Sequence, residues 1–306
     1  MGIKRLNGYI KWKLPTIKKV VTLSDHAGEH WGVDCSCLLY RARGVSLTPV
    51  TVIASLIVRL RSAGITPVFI FDGKPPAAKA ATVDQRRADR QIIHQEMAEI
   101  RTELGAEHTA AEKATMETRM AELQRRAPVV TNGDKDEIKR LLYGAGVQFI
   151  TASGEADDVL AYLCRDGTLQ GVVSTDMDML ARGVPLLVMP ETNDATTLTR
   201  IRLSDVLAGF RLTYRQFVDA CMLMGSDYSE GTMEPREAIE AARSGAAVPE
   251  SGVAILMGEG VAWDDIVSPK QQEKWNIGAP AAEPETVATF ATAHKWPVPW
   301  LALLTM

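Results

Sequence analysis

Acidic residues gather at places where this chain must turn. Asp34 follows the run at 30–33, Asp72 follows Val-Phe-Ile-Phe at 68–71, and Asp176 and Asp178 come directly after Val-Val-Ser-Thr at 172–175. Glu155, Asp157 and Asp158 cluster after Gly154, and Asp227 follows Gly225 and Ser226. One acid after a strand means little, and acids in a helix's first turn often do no more than favour its dipole. Five such places on one chain are harder to assign to chance. Two carboxylates about 4 Å apart repel by roughly 4 kcal/mol at an effective dielectric of 20. Six or more in one place must take up protons or gather divalent cations. No histidine or cysteine joins the set, and all-oxygen ligation favours Mg2+ or Mn2+ over zinc. Enough acids for two ions points to two-metal hydrolysis of a phosphodiester, one ion activating water and both stabilising the displaced group. Cations follow Asp72 at Lys79, Arg86, Arg87 and Arg90. Lys79 and Arg86 are seven apart, roughly one face of a helix, where they can hold a phosphate and its developing charge.

The acids need a scaffold that brings them together. Residues 30–36 read as a short buried strand carrying Asp34, and residues 66–72 as a second strand ending in Asp72, stopped by Gly73, Pro75 and Pro76. A helix is expected over 49–63, with Val52, Leu56 and Leu60 at helical spacing. Further helices are expected over 134–145 and 154–165, and strands over 147–151, 171–175 and 186–189. Strand alternating with helix predicts an α/β fold with a mostly parallel central sheet flanked by helices. In such a sheet, ligands bind beyond the carboxyl ends of the strands, where these acids fall. Residues 84–127 are rich in Ala, Glu, Gln, Arg and Met, with Gly105 as the strong break, and read as a polar helical hairpin. From about 203 the chain reads as helical throughout. The apolar patch at Trp296, Trp300 and Leu303 reads as packing. We expect a nuclease core over 1–203 and a helical C-terminal region over 204–306 that completes the site through Asp227.

The 306 residues are 46% apolar and 24% charged, ordinary for a globular chain with a real core. Disorder and a transmembrane helix are excluded, and the charged start is no secretory signal. Cys35, Cys37, Cys164 and Cys221 lack zinc-finger spacing and read as buried thiols of an intracellular protein, nuclear in a eukaryotic cell or in the host cell of a virus. The net charge of −4 hides a basic start, with Lys4, Arg5, Lys11, Lys13, Lys18 and Lys19 unopposed by any acid before residue 20.

The same residues carry a likeness. Met1-Gly-Ile-Lys4, Val33-Asp34-Cys-Ser36, Phe71-Asp72-Gly-Lys-Pro-Pro76, Gly154-Glu155-Ala-Asp157, Ser174-Thr-Asp176-Met-Asp178-Met-Leu180 and Leu223-Met-Gly-Ser-Asp227-Tyr228 stand in collinear order over about residues 1–230. The chain resembles the flap endonuclease/XPG superfamily of structure-specific 5′ nucleases. The resemblance implies a PIN-like core, with 84–127 as a helical arch that passes a 5′ single strand. It also implies that Asp34, Asp72, Glu155, Asp157, Asp176, Asp178 and Asp227 hold two Mg2+ ions, Mn2+ being the alternative. Lys79 and Arg86 would steer the phosphate, beside Arg87 and Arg90. Tyr40 would stack on a base, and Gly2 and Lys4 would touch the substrate near its branch. Asp158 has no counterpart in that set and reads as helix capping. The implied activity is Mg-dependent hydrolysis of branched or 5′-flap DNA by a monomer, in DNA replication, repair or recombination.

Two departures stand out. The Gly-Ile-Gly hairpin that grips duplex phosphates in the family is replaced by Ser229-Glu-Gly-Thr-Met-Glu-Pro235, which undercuts both that grip and a K+ site. No sliding-clamp peptide is recognisable near the end of the chain, and no membrane partner is expected. The nearest alternative is a 5′→3′ exonuclease of the same superfamily. A DNA-binding scaffold without chemistry would be expected to lack some of the acids. The Asp-x-Asp pair also loosely resembles haloacid-dehalogenase-like phosphatases, a reading that leaves Asp34, Asp72, Lys79 and Arg86 without roles.

Overall fold

Apolar β-branched and aromatic runs build a sheet that carries a core on each face. The computed structural model describes residues 3–45, 47–76, 79–105, 108–191 and 197–306, without the side chains at 80–83 and 86. Its strands are β1 (Lys19–Val20), β2 (His30–Asp34), β3 (Thr66–Phe71), β4 (Phe149–Thr151), β5 (Gly171–Val173), β6 (Leu186–Pro190) and β7 (Leu198–Arg202). Among the described residues they form a seven-stranded sheet in the order β1-β7-β6-β5-β2-β3-β4. The pairs β2–β3, β3–β4, β2–β5 and β5–β6 are parallel, while β6–β7 and β1–β7 are antiparallel. The α/β class and mostly parallel sheet are as expected from the sequence.

Strand periodicity sorts the side chains. On β3, Val68 and Ile70 enter one core with Leu6, Ile10, Val159, Leu160 and Phe217. Phe69 and Phe71 enter the other with Trp31, Val33, Leu38, Ile53, Ile57 and Leu141. Helices cover both faces, as parallel sheets require. Gly32 on β2 permits a close approach: a Cβ there would stand 2.4 Å from Leu160 Cδ2, on the helix Ala156–Arg165.

Helix ends follow local chemistry. Pro49 opens the helix Pro49–Ser62, where a missing N–H costs nothing. Thr109, Thr131 and Thr213 each form a reciprocal capping box with the residue three positions on. The polar hairpin is the pair Ala80–Glu103 and Ala110–Arg126. Arg119 ties the two helices together through Glu96 at 2.7 Å.

Four details differ from the sequence reading. Strand β2 ends at Asp34, because Asp34 itself caps a helix, Cys35–Gly44, through Cys37 N–H. Strand β7 was not expected; it returns antiparallel beside β6 and pairs with β1. The first helix of the hairpin begins at Ala80 rather than near 84. The helices after 203 serve both cores: Phe210, Phe217 and Cys221 enter one, while Val287, Phe290, Trp296 and Leu304 enter the other. Among the described residues no helix is long and apolar enough to cross a membrane.

Candidate active site

The sheet reverses direction between β2 and β5. Strands β2, β3 and β4 step outward one way, and β5 and β6 step outward the other. That switch point opens a crevice at the carboxyl ends of the two strands. Asp34, at the end of β2, faces Ser174, just past β5: Ser174 Oγ donates to Asp34 Oδ2 at 2.9 Å, and both are buried. Beyond β5 the backbone makes a tight acid-bearing turn. Asp176 N–H donates to Ser174 Oγ at 3.1 Å, and Asp178 N–H donates to Asp176 Oδ1 at 2.9 Å. Asp178 then starts the short helix Asp178–Ala181; it is 1% exposed and its Oδ1 has no hydrogen-bond partner.

Next along the sheet, Asp72 follows β3 and accepts from Ala156 N–H at 2.8 Å, at the amino end of Ala156–Arg165. Gly73 makes this possible. Its N–H donates to Gly154 O at 2.8 Å, and a Cβ at 73 would meet Ala152 O at 2.0 Å. Alanine at Gly73 should therefore destabilise the protein by roughly 1–3 kcal/mol, the usual cost of overpacking, and displace Asp72. A urea melt that superimposes on that of the parent protein would refute this.

Glu155 sits at the cap position of the same helix but makes no capping bond. Its Oε1 takes Lys79 Nζ at 2.8 Å, and its Oε2 accepts the Tyr228 hydroxyl at 2.6 Å. Lys79 is buried, reaches Asp227 Oδ2 at 3.2 Å, and lies 4.7 Å above the Tyr228 ring. The sequence reading put Lys79 on a helix face near the acids; it stands at that helix's cap position, paired with two of them. Asp158 does not cap either: it pairs with Arg182, a residue the sequence reading did not single out. Arg182 is 1% exposed, and its Nη2 donates to Tyr228 Oη at 2.9 Å.

The crowding is visible in proton affinity. Burial, with Asp72 and Asp176 nearby, pushes Asp34 from 3.8 up to about 7, against the pull of Cys37 N–H and the Ser174 hydroxyl. Burial and Asp176 push Asp178 likewise to about 7, while Arg182 and Lys79 pull the other way. Enclosure raises Asp157 well above the carboxylate range, opposed by Arg182 and reinforced by Asp34, Asp176 and Asp72. These mutual influences place Asp34, Asp72, Asp157, Asp176, Asp178 and Asp227 in one electrostatic neighbourhood, which Glu155 joins through Lys79. Among the described residues no three of them close into a preformed ligand set. The donors nonetheless suit a hard cation: all are carboxylate oxygens, they repel one another, and one buried oxygen is unpartnered.

The other expected contacts lie around this centre. Lys4 is exposed, and its N–H donates to Gly225 O at 3.0 Å, next to the Asp227 loop. Tyr40 is half-buried on Cys35–Gly44, and Arg87 and Arg90 lie on the helix Ala80–Glu103. Gly2 and the Arg86 side chain lie outside the described residues. In the altered segment 229–235, Ser229 Oγ donates to Met222 O at 2.8 Å and Glu234 pairs with Arg5 at 2.7 Å.

Fold and site together define an α/β protein with an acidic, cation-suited site at a sheet switch point and a long helical hairpin that begins beside it at Ala80. Comparison with known proteins narrows this. The XPG N-terminal domain model matches residues 1–93 and the XPG I-region model residues 146–227, together more than half of the chain. The chain belongs to the flap endonuclease/XPG superfamily. Flap endonuclease 1 of Cryptosporidium muris is 30% identical over 255 residues, covering 74% of this chain and 52% of that protein. Flap endonuclease 1 of Candida albicans is 29% identical over 248 residues, covering 75% and 64%. The chain thus spans about half to two thirds of the length of these curated relatives. Among solved structures, flap endonuclease-1 from Methanococcus jannaschii superposes with a TM-score of 0.61 at 20% identity, covering 99% of this chain and 98% of that one. The catalytic core of Rad2 in complex with DNA substrate gives 0.66 at 17%, covering 99% and 100%. The Holliday junction-resolving enzyme GEN1, in complex with product DNA and Mg2+ ion, gives 0.57 at 16%, covering 93% and 72%. These structural likenesses support the fold.

Proposed function

We propose that this protein is a structure-specific 5′ nuclease that hydrolyses phosphodiester bonds of flapped or branched DNA. The convergence of acids from separate segments on the β2/β5 switch point carries the reading, with Asp178 buried and one of its oxygens unpartnered. Asp34, Asp72, Glu155, Asp157, Asp176, Asp178 and Asp227 would hold two Mg2+ ions, Mn2+ being the alternative. Such ions, when bound, supply an activated water and offset the charge on the departing phosphate.

The chain's own residues do the rest. Lys79, already among the acids, and Arg86 hold the scissile phosphate and share its developing charge. The helices Ala80–Glu103 and Ala110–Arg126 form the arch over the crevice, and their polar surfaces suit a passing single strand. Lys4, Tyr40, Arg87, Arg90 and the basic start contact DNA on either side, so binding falls as salt rises. Gly2 belongs to the same proposed contact. A two-part layout, a core over 1–203 and a helical region over 204–306 that delivers Asp227, fits this division of labour.

The test is cleavage of a 5′-labelled double-flap DNA with Mg2+ and with EDTA. One Mg2+-dependent product at the flap junction is expected. Mononucleotides released from the 5′ end would replace the reading with an exonuclease, and cutting in EDTA would remove the metal.

The raised carboxylates add a second expectation. Asp34 and Asp178 keep protons in the fold that the unfolded chain has released between about pH 4 and 7. The stability they contribute is fully present below pH 4 and is lost as pH rises through 7. In EDTA, Tm should therefore fall between pH 5 and 7.5, and saturating Mg2+ should cancel the fall. A Tm that climbs over that interval in EDTA would contradict the assignment.

A further inference from the structure

Arg182 leaves the end of the helix Asp178–Ala181, and its N–H donates to Asp178 O at 2.8 Å. Its side chain is 1% exposed. A buried guanidinium is tolerable only when its charge is met, and Asp158 meets it directly at Nη1. The other terminal nitrogen faces the site. Arg182 Nη2 donates to the Tyr228 hydroxyl at 2.9 Å and lies 3.5 Å from Glu155 Oε2, while that hydroxyl donates to the same Oε2 at 2.6 Å. Glu155 has three rotatable bonds; Lys79 holds its Oε1, and the Tyr228–Arg182 clasp fixes its Oε2. Tyr228 adjoins Asp227, so the guanidinium joins three segments that each carry site acids: 155–158, 176–182 and 227–228. Only a planar fork reaches Asp158, Glu155 and Tyr228 at once; an ammonium presents its charge at a single point.

We propose that Arg182 is a positioning residue that holds Glu155 through Tyr228 and so sets the affinity of the site for divalent cations, resting on the reading that these acids bind such ions. Asp158 is the counter-charge that keeps Arg182 buried and aimed inward.

The test is calorimetric titration of Mn2+ into the DNA-free protein, for wild type, Arg182→Lys, Tyr228→Phe and the double variant. Flap cleavage is then measured across Mg2+ concentrations. Arg182→Lys keeps the charge and loses the fork. It should weaken Mn2+ binding about tenfold or more, the usual scale for residues that orient ligands, and raise the half-saturating Mg2+ by the same factor. KM for DNA at saturating Mg2+ should stay within about twofold. Tyr228→Phe should move both cation values the same way, and the double variant should fall little below Arg182→Lys alone, because both act through one chain of bonds. A merely structural role would lower the active fraction and leave affinity and half-saturation in place. Wild-type cation affinity in Arg182→Lys, or fully additive losses, overturns the proposal. Should Arg182→Lys fail to fold, wild-type affinity in Tyr228→Phe alone overturns it. No Mn2+ uptake by the wild type would instead sink the reading of the acids, and this proposal with it.

Discussion

Asparagine in place of Asp178 should leave the protein folded and stop it cutting DNA. The carboxylate is 1% exposed, crowded by Asp176, and titrates near pH 7. Its charged form is therefore opposed in the fold, by roughly 4 kcal/mol for a rise of about three pH units. Removing that charge relieves repulsion. At pH 8 in EDTA, Asp178→Asn should melt no lower than the wild type, and above it if the opposition is fully felt. Turnover on flap DNA should nonetheless fall on the order of a thousand-fold, the scale on which lost transition-state electrostatics appear. Binding of DNA in EDTA should persist. A variant that melts well below wild type, or one that still cuts, would show that Asp178 serves the fold rather than the chemistry.

The second large effect lies on the other face of the sheet. Trp296 is 7% exposed and stacks among Phe290, His294 and Trp300, while its Nε1 donates to Thr51 Oγ1 at 3.0 Å on the helix Pro49–Ser62. Arg61, on the same helix, donates to Leu304 O at 2.9 Å. Trp296→Ala should cost about 3–5 kcal/mol, as aromatic truncations in a core do, and lower Tm on the order of 10 °C. Trp296→Phe should recover most of this, keeping the apolar body and losing about 1 kcal/mol of hydrogen bond. Urea melts of the two variants check the expectation; equal losses would mean that the Thr51 bond, not the ring packing, anchors the tail.

Much of the site was readable because it follows backbone logic. Acids that end parallel strands must meet at one edge of the sheet, so Asp34, Asp72 and Asp176 could be brought together before any coordinates. Packing at Trp296 followed from hydrophobicity alone. What escaped depends on long-range pairing. The Asp158–Arg182 bridge joins residues 24 apart with no periodic signature. Asp158 sits in a helix's first turn, where the dipole already explains an acid. Strand β7 alternates only briefly and contains two arginines, and its partner β1 is two residues long. Lys79 was readable as a cation near the acids, but not as a buried one. Its burial follows from Glu155 and Asp227, which lie far along the chain.

The start of the chain is stitched to a late loop. Lys4 N–H reaches Gly225 O at 3.0 Å, and Ile3 is buried in the core that Phe217 and Cys221 complete. Residues 3 and 4 have no place to dock until the segment around 225 is folded. A chain ending before that point carries six of the seven proposed ligands but lacks Asp227 and the loop that seats the amino end. The contact therefore couples two events: opening the loop at 225 would free the amino end and withdraw Asp227 together.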